Sequence, residues 1–202
     1  MKLYYAPGAC SMSSHIVLRE TGAKFEAVKV NLGTKKTEHD ADYLAINPKG
    51  AVPALQLDNG DVITECAVIA QYVGDHASGS DIMPKAGTME RVRENEWLNF
   101  IAADYHKAMG SLFNKDMAAK AGDLIKINIT RRTTTLDNHL AKHEYLVGNR
   151  FTAADAYAFT VLNWAGGVGF DLAPFKNIAP YMARIAARPA VQATLKAEGL
   201  TK

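Results

Sequence analysis

Apolar and polar positions follow two different rhythms along this chain of 202 residues, and the rhythm changes near residue 80. The first part mixes short strands with helices. K-L-Y-Y-A reads as a strand that Pro7 and Gly8 break. Ser11, Ser13 and Ser14 offer N-cap hydroxyls to the helix S-S-H-I-V-L-R-E-T, which stops at Gly22. F-E-A-V-K-V-N alternates as a half-buried strand does. A-D-Y-L-A-I-N-P predicts a short helix, ended by the restriction that Pro48 puts on its predecessor. A-L-Q-L, the turn D-N-G-D and V-I-T predict a hairpin. A-V-I-A-Q-Y-V-G then has helical spacing. The expected order is strand, helix, strand, helix, strand, strand, helix.

Residues 78–87, S-G-S-D-I-M-P-K-A-G, have the composition of a linker. Beyond them the apolar spacing is helical. M-E-R-V-R-E-N-E-W-L-N-F-I-A-A-D-Y-H-K-A-M predicts one long helix. The next segment is rich in β-branched residues, but Ile125, Ile129, Leu136 and Leu140 share a helical face. Thr152 and Asp155 form the S/T-x-x-D variant of a capping box at the start of a further helix. Another helix follows Pro174, and the last begins near Pro189, a residue suited to a first turn. The expected division is a mixed domain over residues 1–80 and an all-helical domain over 88–202.

Composition narrows the class. A hydrophobic share of 48% with 22% charged residues is that of an ordered globular protein. A net charge of +2 leaves no electrostatic footprint for nucleic acid. No apolar run reaches the length needed to cross a membrane. The first residues lack the apolar core of a signal peptide, so a cytoplasmic protein is expected. The two cysteines, Cys10 and Cys66, form neither a C-x-x-C pair nor a zinc pattern. In a reducing compartment both are expected as thiols.

Four motifs occur in register: Y-A-P-G-A-C-S, N-P-K-G-x-V-P-A-L, I-T-E-C-x-x-I-x-x-Y and L-x-G-x-x-F-T-x-A-D. Together they span essentially the whole chain, which resembles the cytosolic glutathione transferases. Cys10 after the first strand, with His106 on the long helix, resembles the bacterial beta class. The resemblance implies a thioredoxin-like N-terminal domain (α/β) followed by an all-α domain. It also implies a homodimer that uses glutathione as co-substrate and needs no metal.

The chemistry centres on Cys10. A free cysteine is often just a small buried apolar residue. At a strand-to-helix junction, however, a thiol is expected to point toward helix N–H groups and lose its proton more easily. The resemblance places this sulfur beside that of glutathione, in a hydrogen bond or a mixed disulfide. A thiol of pKa ~8.5 is roughly 3% ionised at neutral pH, so full ionisation gains about thirtyfold. A shift of ~2 units needs about 2.7 kcal/mol. A helix dipole supplies ~0.3–1 kcal/mol, and about 2 at most. At least one direct donor to sulfur is therefore expected, from Cys10, Ser11 or His106. Larger acceleration must come from holding the electrophile near the sulfur.

His106 could be a surface residue of an amphipathic helix. Asn99, Ala103 and His106 nevertheless fall at i, i+4 and i+7 on one face. By resemblance, His106 lies near the thiol and exchanges protons, and Asn99 and the segment Ala103, Asp104, Tyr105, His106 contact glutathione, partly from the partner subunit. Asp104 would then meet the ligand's ammonium group.

Pro53 requires an extended Val52. The resemblance implies a cis bond that turns the Val52 backbone toward the ligand, where an extended peptide can pair with it. Glu65 and Cys66 open the third helix, whose backbone N–H groups suit a carboxylate. Glu65 suits the ligand's ammonium group. Relatives mostly carry serine where this chain has Cys66, and a thiol is a poorer donor. A second redox role for Cys66 is disfavoured, because the γ-glutamyl end and the sulfur lie at opposite ends of glutathione. Lys35 is assigned by resemblance to the glycyl carboxylate. Tyr5 can line the pocket without acting as base. His139 and His143 have metal spacing but no third ligand.

The resulting expectation is a glutathione transferase that adds glutathione to small hydrophobic electrophiles, as in detoxification. The electrophile site is expected between Ala9, Cys10 and the helical domain, with Tyr105, His106, Leu112, Phe113 and Trp164 as walls. Thiol–disulfide or peroxide chemistry at Cys10 is a second expectation. A non-enzymatic carrier of glutathione or hydrophobic ligands is the alternative.

Overall fold

β1 (Lys2–Tyr5) is the central strand of a five-stranded sheet ordered β3-β2-β1-β4-β5. The computed structural model describes residues 1–77 and 79–201. Ser78, where the expected linker starts, and Lys202 lie outside the described residues. β1 runs parallel to β2 (Glu26–Asn31), with Leu3 opposite Ala27. It runs antiparallel to β4 (Ala54–Gln56), with Leu3 opposite Leu55. β5 (Val62–Thr64) completes the hairpin with β4. β3 (Lys36–Thr37) is a two-residue edge strand on β2 that the apolar pattern did not signal. With so few residues, alternation has nothing to act on.

Two helices, α1 (Ser11–Glu20) and α2 (Tyr43–Ile46), interrupt the strands, and α3 (Cys66–His76) follows them. α1 ends as its composition predicts. Gly22 takes φ +65°, Gly22 N–H donates to Arg19 and Ala23 N–H to Leu18, which is a Schellman closure. One face of the sheet is packed by Tyr4, Ala6, Val28, Val30, Tyr43, Val52 and Ala54.

The helical unit comprises α4 (Met89–Asn99), α5 (His106–Ser111), α6 (Lys115–Leu140), α7 (Ala153–Leu162) and α8 (Ile178–Ala186). The expected long helix is not continuous. Phe100–Tyr105 is π-helical, so α4 and α5 are joined by a wider turn. One inserted residue rotates the downstream helix by about 100° relative to an unbroken α-helix. α7 is buried along all ten of its residues and is the core of this unit. Its capping box forms as expected, Thr152 and Asp155 each bonding the other's end of the first turn.

The chain divides into Met1–Met83 with Arg188–Lys202, and Pro84–Ala187. The last helix, α9 (Pro189–Ala197), thus belongs with the sheet, where it packs on α1. The sequence reading grouped this helix with residues 88–202, because helical periodicity says what a segment is and not what it packs against.

Candidate active site

Cys10 occupies the N-cap position of α1, half-buried, and its side chain makes no capping bond. This departs from the expectation that its thiol faces helix N–H groups. The reason is backbone geometry: Cys10 is already helical (φ −57°, ψ −25°), whereas a capping side chain needs an extended residue. Its Sγ–H instead donates to the Val52 carbonyl at 3.0 Å. A carbonyl can hold only the protonated thiol, since a thiolate has no proton to give.

Ser11 is likewise not available as a donor to sulfur. It is fully buried, and its hydroxyl accepts from Ala6 N–H (3.1 Å) and donates to Ala6 C=O (3.2 Å). Ser13 donates to the Cys10 carbonyl at 2.7 Å. These serines therefore fasten the strand-to-helix junction rather than cap the helix.

The 50–53 segment is held at each carbonyl from Gly50 to Val52. Lys35 Nζ donates to Gly50 (2.7 Å), Tyr43 Oη and Asn47 Nδ2 to Ala51 (2.7 Å each), and Cys10 to Val52. The Val52–Pro53 bond is cis. Lys35, expected at a ligand carboxylate, is thus anchored beside this loop with a protein partner, and an ammonium has two further donors. Burial raises the Tyr43 phenol above its ordinary pKa and keeps it a donor.

Glu65 stands just before α3 with φ +74°, a left-handed backbone conformation that is unusual for a side-chain-bearing residue. Its carboxylate is exposed and pairs with Lys49 Nζ at 3.1 Å. Such a surface pair contributes little and is readily exchanged. Cys66 is the first residue of α3 and is buried, with Sγ 3.4 Å from the carbonyl oxygen of Cys10.

In the helical unit, His106 Nδ1 lies 2.6 Å from Tyr157 Oη, and its ring meets Trp164 edge-on at 4.9 Å. Phe113 also meets Trp164 edge-on, at 5.7 Å. Asn99 and Ala103 are exposed, and the π turn lies between Asn99 and His106. The regular i, i+4, i+7 face is therefore replaced by a wider one. Asp104 is exposed and pairs with Arg132 at 3.3 Å, so one carboxylate oxygen is already engaged. Two of the side chains expected as walls are buried. The Tyr105 side chain is wholly buried, with its hydroxyl on Thr133 at 3.1 Å, so it can form neither a wall nor a side-chain contact. Leu112 is buried as well. Burial raises the pKa of Tyr105 further.

His139 and His143 stack at 4.2 Å, with ring nitrogens near backbone carbonyls. No acid–histidine–cysteine group able to hold a metal occurs among the described residues. No described helix is long and apolar enough to cross a membrane.

Sequence reasoning missed three residues. Glu198, buried just after α9, accepts Gly8 N–H at 2.8 Å and bonds His15 Nδ1 at 2.9 Å. It thereby holds the loop leading to Cys10, and Leu200 packs against Gly8. Tyr157 orients His106. The partners are far apart in the chain, and only folding brings them together.

A thioredoxin-like sheet with a cis-proline loop, followed by an all-helical unit, is the architecture of thiol-handling two-domain proteins. Family models agree: the glutathione S-transferase N-terminal domain matches residues 8–76, and the C-terminal domain residues 126–189. The glutathione S-transferase GstA of Escherichia coli O157:H7 is 42% identical over 99% of this chain and 100% of its own length. A bacterial beta class glutathione S-transferase of Sphingomonas chungbukensis is 43% identical, with a TM-score of 0.96 and full coverage of both chains. A sphingomonad glutathione S-transferase solved with glutathione gives 43% and 0.95, again over the full length of both. The chain belongs to the glutathione S-transferase family, and its likeness to the bacterial beta class bears out the motif reading.

Proposed function

We propose that this protein conjugates reduced glutathione to small hydrophobic electrophiles. The observation that carries the reading is the 3.0 Å contact of Cys10 Sγ with the Val52 carbonyl. It sets a sulfur-handling group beside a backbone edge able to receive an extended peptide. Val52 pairs with the cysteinyl unit as an added strand residue does. The N–H groups opening α3 at Glu65 and Cys66 receive the γ-glutamyl carboxylate. Glu65 exchanges Lys49 for the ligand's ammonium group, and Lys35 takes the glycyl carboxylate. The sulfur of glutathione attacks the electrophile; a carbon–sulfur bond forms, the leaving group departs with its electron pair, and the thiol proton passes to a base. His106 is assigned that proton, with Nε2 as the working nitrogen, since Nδ1 is committed to Tyr157. Phe113 and Trp164 offer apolar surface to the electrophile. Asn99, Ala103 and Asp104 are assigned to glutathione, in part across a homodimer. The setting is cytoplasmic, where both thiols stay reduced.

A second reading is glutathione-dependent thiol–disulfide or peroxide chemistry, favoured by the half-buried, reachable Cys10 sulfur. Turnover of an aryl halide with glutathione tests the first reading. Glutathione uptake seen by calorimetry without any turnover would leave only a carrier.

A further inference from the structure

The two cysteines are 56 residues apart in sequence, yet Cys66 Sγ lies 3.4 Å from the Cys10 carbonyl oxygen. The backbone places Cα of Cys10 about 2.4 Å from that oxygen. Cys66 Sγ is therefore at most about 6 Å from the Cys10 Cα. Rotation about the Cα–Cβ bond of Cys10, between staggered positions, swings its sulfur from Val52 toward Cys66. A disulfide needs Cα atoms about 4.4–6.8 Å apart, so a Cys10–Cys66 bridge calls for rotation of both side chains and a matching backbone adjustment.

The Cys66 thiol shares its acceptor with other donors. The Cys10 carbonyl already accepts from Ser13 N–H at 3.1 Å and Ser13 Oγ at 2.7 Å. The Cys66 Sγ–H is a third donor to the same oxygen, and a thiol is a weaker donor than a hydroxyl or an amide. The two sulfurs differ in access. Cys10 is half-buried, whereas Cys66 is 6% exposed. A bulky disulfide thus meets Cys10 first. Exchange requires the Cys66 thiolate to attack Cys10 Sγ in line with the breaking sulfur–sulfur bond, from the side opposite the glutathionyl group. The length of glutathione separates its own two ends along the ligand face, and it places no barrier on this approach.

We infer that Cys66 is the resolving thiol of a two-cysteine redox cycle at the Cys10 site. The inference rests on the mixed-disulfide reading of Cys10. The oxidant is glutathione disulfide. Cys10 thiolate attacks it, forms Cys10–S–S–glutathione and releases one glutathione. Cys66 thiolate then attacks Cys10 Sγ, the bond to glutathione breaks, and the second glutathione leaves. One disulfide is reduced, two protein thiols are oxidised, and the two thiol protons leave with the two released glutathiones. External thiol reverses the sequence.

The test incubates the fully reduced protein with glutathione disulfide, quenches in acid, alkylates under denaturing conditions and measures intact mass and linked peptides. The wild type should yield a Cys10–Cys66 bridge with no alkylated thiol, and Cys66→Ser and Cys66→Ala should each stop at one glutathionyl group on Cys10. Cys10→Ser should give neither product. The inference is overturned if the wild type accumulates the glutathionyl adduct as the variants do, with Cys66 alkylated. It is also overturned, together with the redox reading beneath it, if neither variant takes a glutathionyl group.

Discussion

The thiol of Cys10 donates to the carbonyl of Val52 at 3.0 Å, and that carbonyl belongs to the backbone edge assigned above to glutathione. Under the proposed binding mode, glutathione and the Cys10 thiol compete for one acceptor. A hydroxyl is a stronger donor than a thiol, and a methyl group is no donor. Cys10→Ser should therefore weaken glutathione binding and Cys10→Ala should not. With a net hydrogen-bond contribution of about 1 kcal/mol, the spread between them should be roughly fivefold. Calorimetric titration with reduced glutathione measures it, and tighter binding by Cys10→Ser than by Cys10→Ala contradicts the competition.

Glu198 fastens the loop before Cys10 from the far end of the chain. Both carboxylate oxygens are used, one by Gly8 N–H and one by His15, and the side chain is fully buried. Glu198→Ala strands two buried polar partners, which costs about 2–4 kcal/mol. Glu198→Gln keeps the shape: its amide oxygen receives Gly8, and its NH₂ can serve a neutral His15 that accepts at Nδ1. Thermal unfolding should show a marked loss for the alanine variant and a smaller one for glutamine. Equal losses would mean that volume, and not hydrogen bonding, is what Glu198 provides.

The helical unit carries a pH signature. Burial raises the Glu94 carboxyl to about 7, although Thr152 and the Ala154 N–H oppose the shift. Its Oε1 accepts Ala154 N–H at 2.7 Å, while its buried Oε2 has no partner. Burial likewise raises Asp155 to about 6. Between the ordinary carboxylate range and these values the folded state holds more protons than the unfolded chain. Stability is therefore fully present at low pH and falls as pH rises to about 7, by on the order of 3 kcal/mol for Glu94. Glu94→Gln mimics the protonated form. Denaturant unfolding should show the variant close to wild type at pH ~5 and more stable than wild type at pH ~8. An unchanged difference across that range would rule out ionisation of Glu94 as the cause.

Much of the sheet was legible because strands and caps are local. Pro7, Gly22, the D-N-G-D turn and the pairing of Thr152 with Asp155 act through neighbours in the chain. The π turn over Phe100–Tyr105 was not legible, since helical periodicity tolerates one inserted residue while the faces downstream rotate. Tyr105 was placed at the site by resemblance, and only the fold shows its side chain turned inward to Thr133.

By itself the sequence determined the strand and helix order, the motifs that carry the family, and the chemical identity of the site residues, because backbone preference and side-chain chemistry are properties of short segments. Tertiary structure alone decided where Cys10 aims its thiol, that the Cys66 thiol meets the Cys10 carbonyl, and that Glu198 closes on Gly8. Those contacts join residues tens to hundreds of positions apart, and hydrogen-bond partners at such separations are fixed by packing rather than by any local pattern.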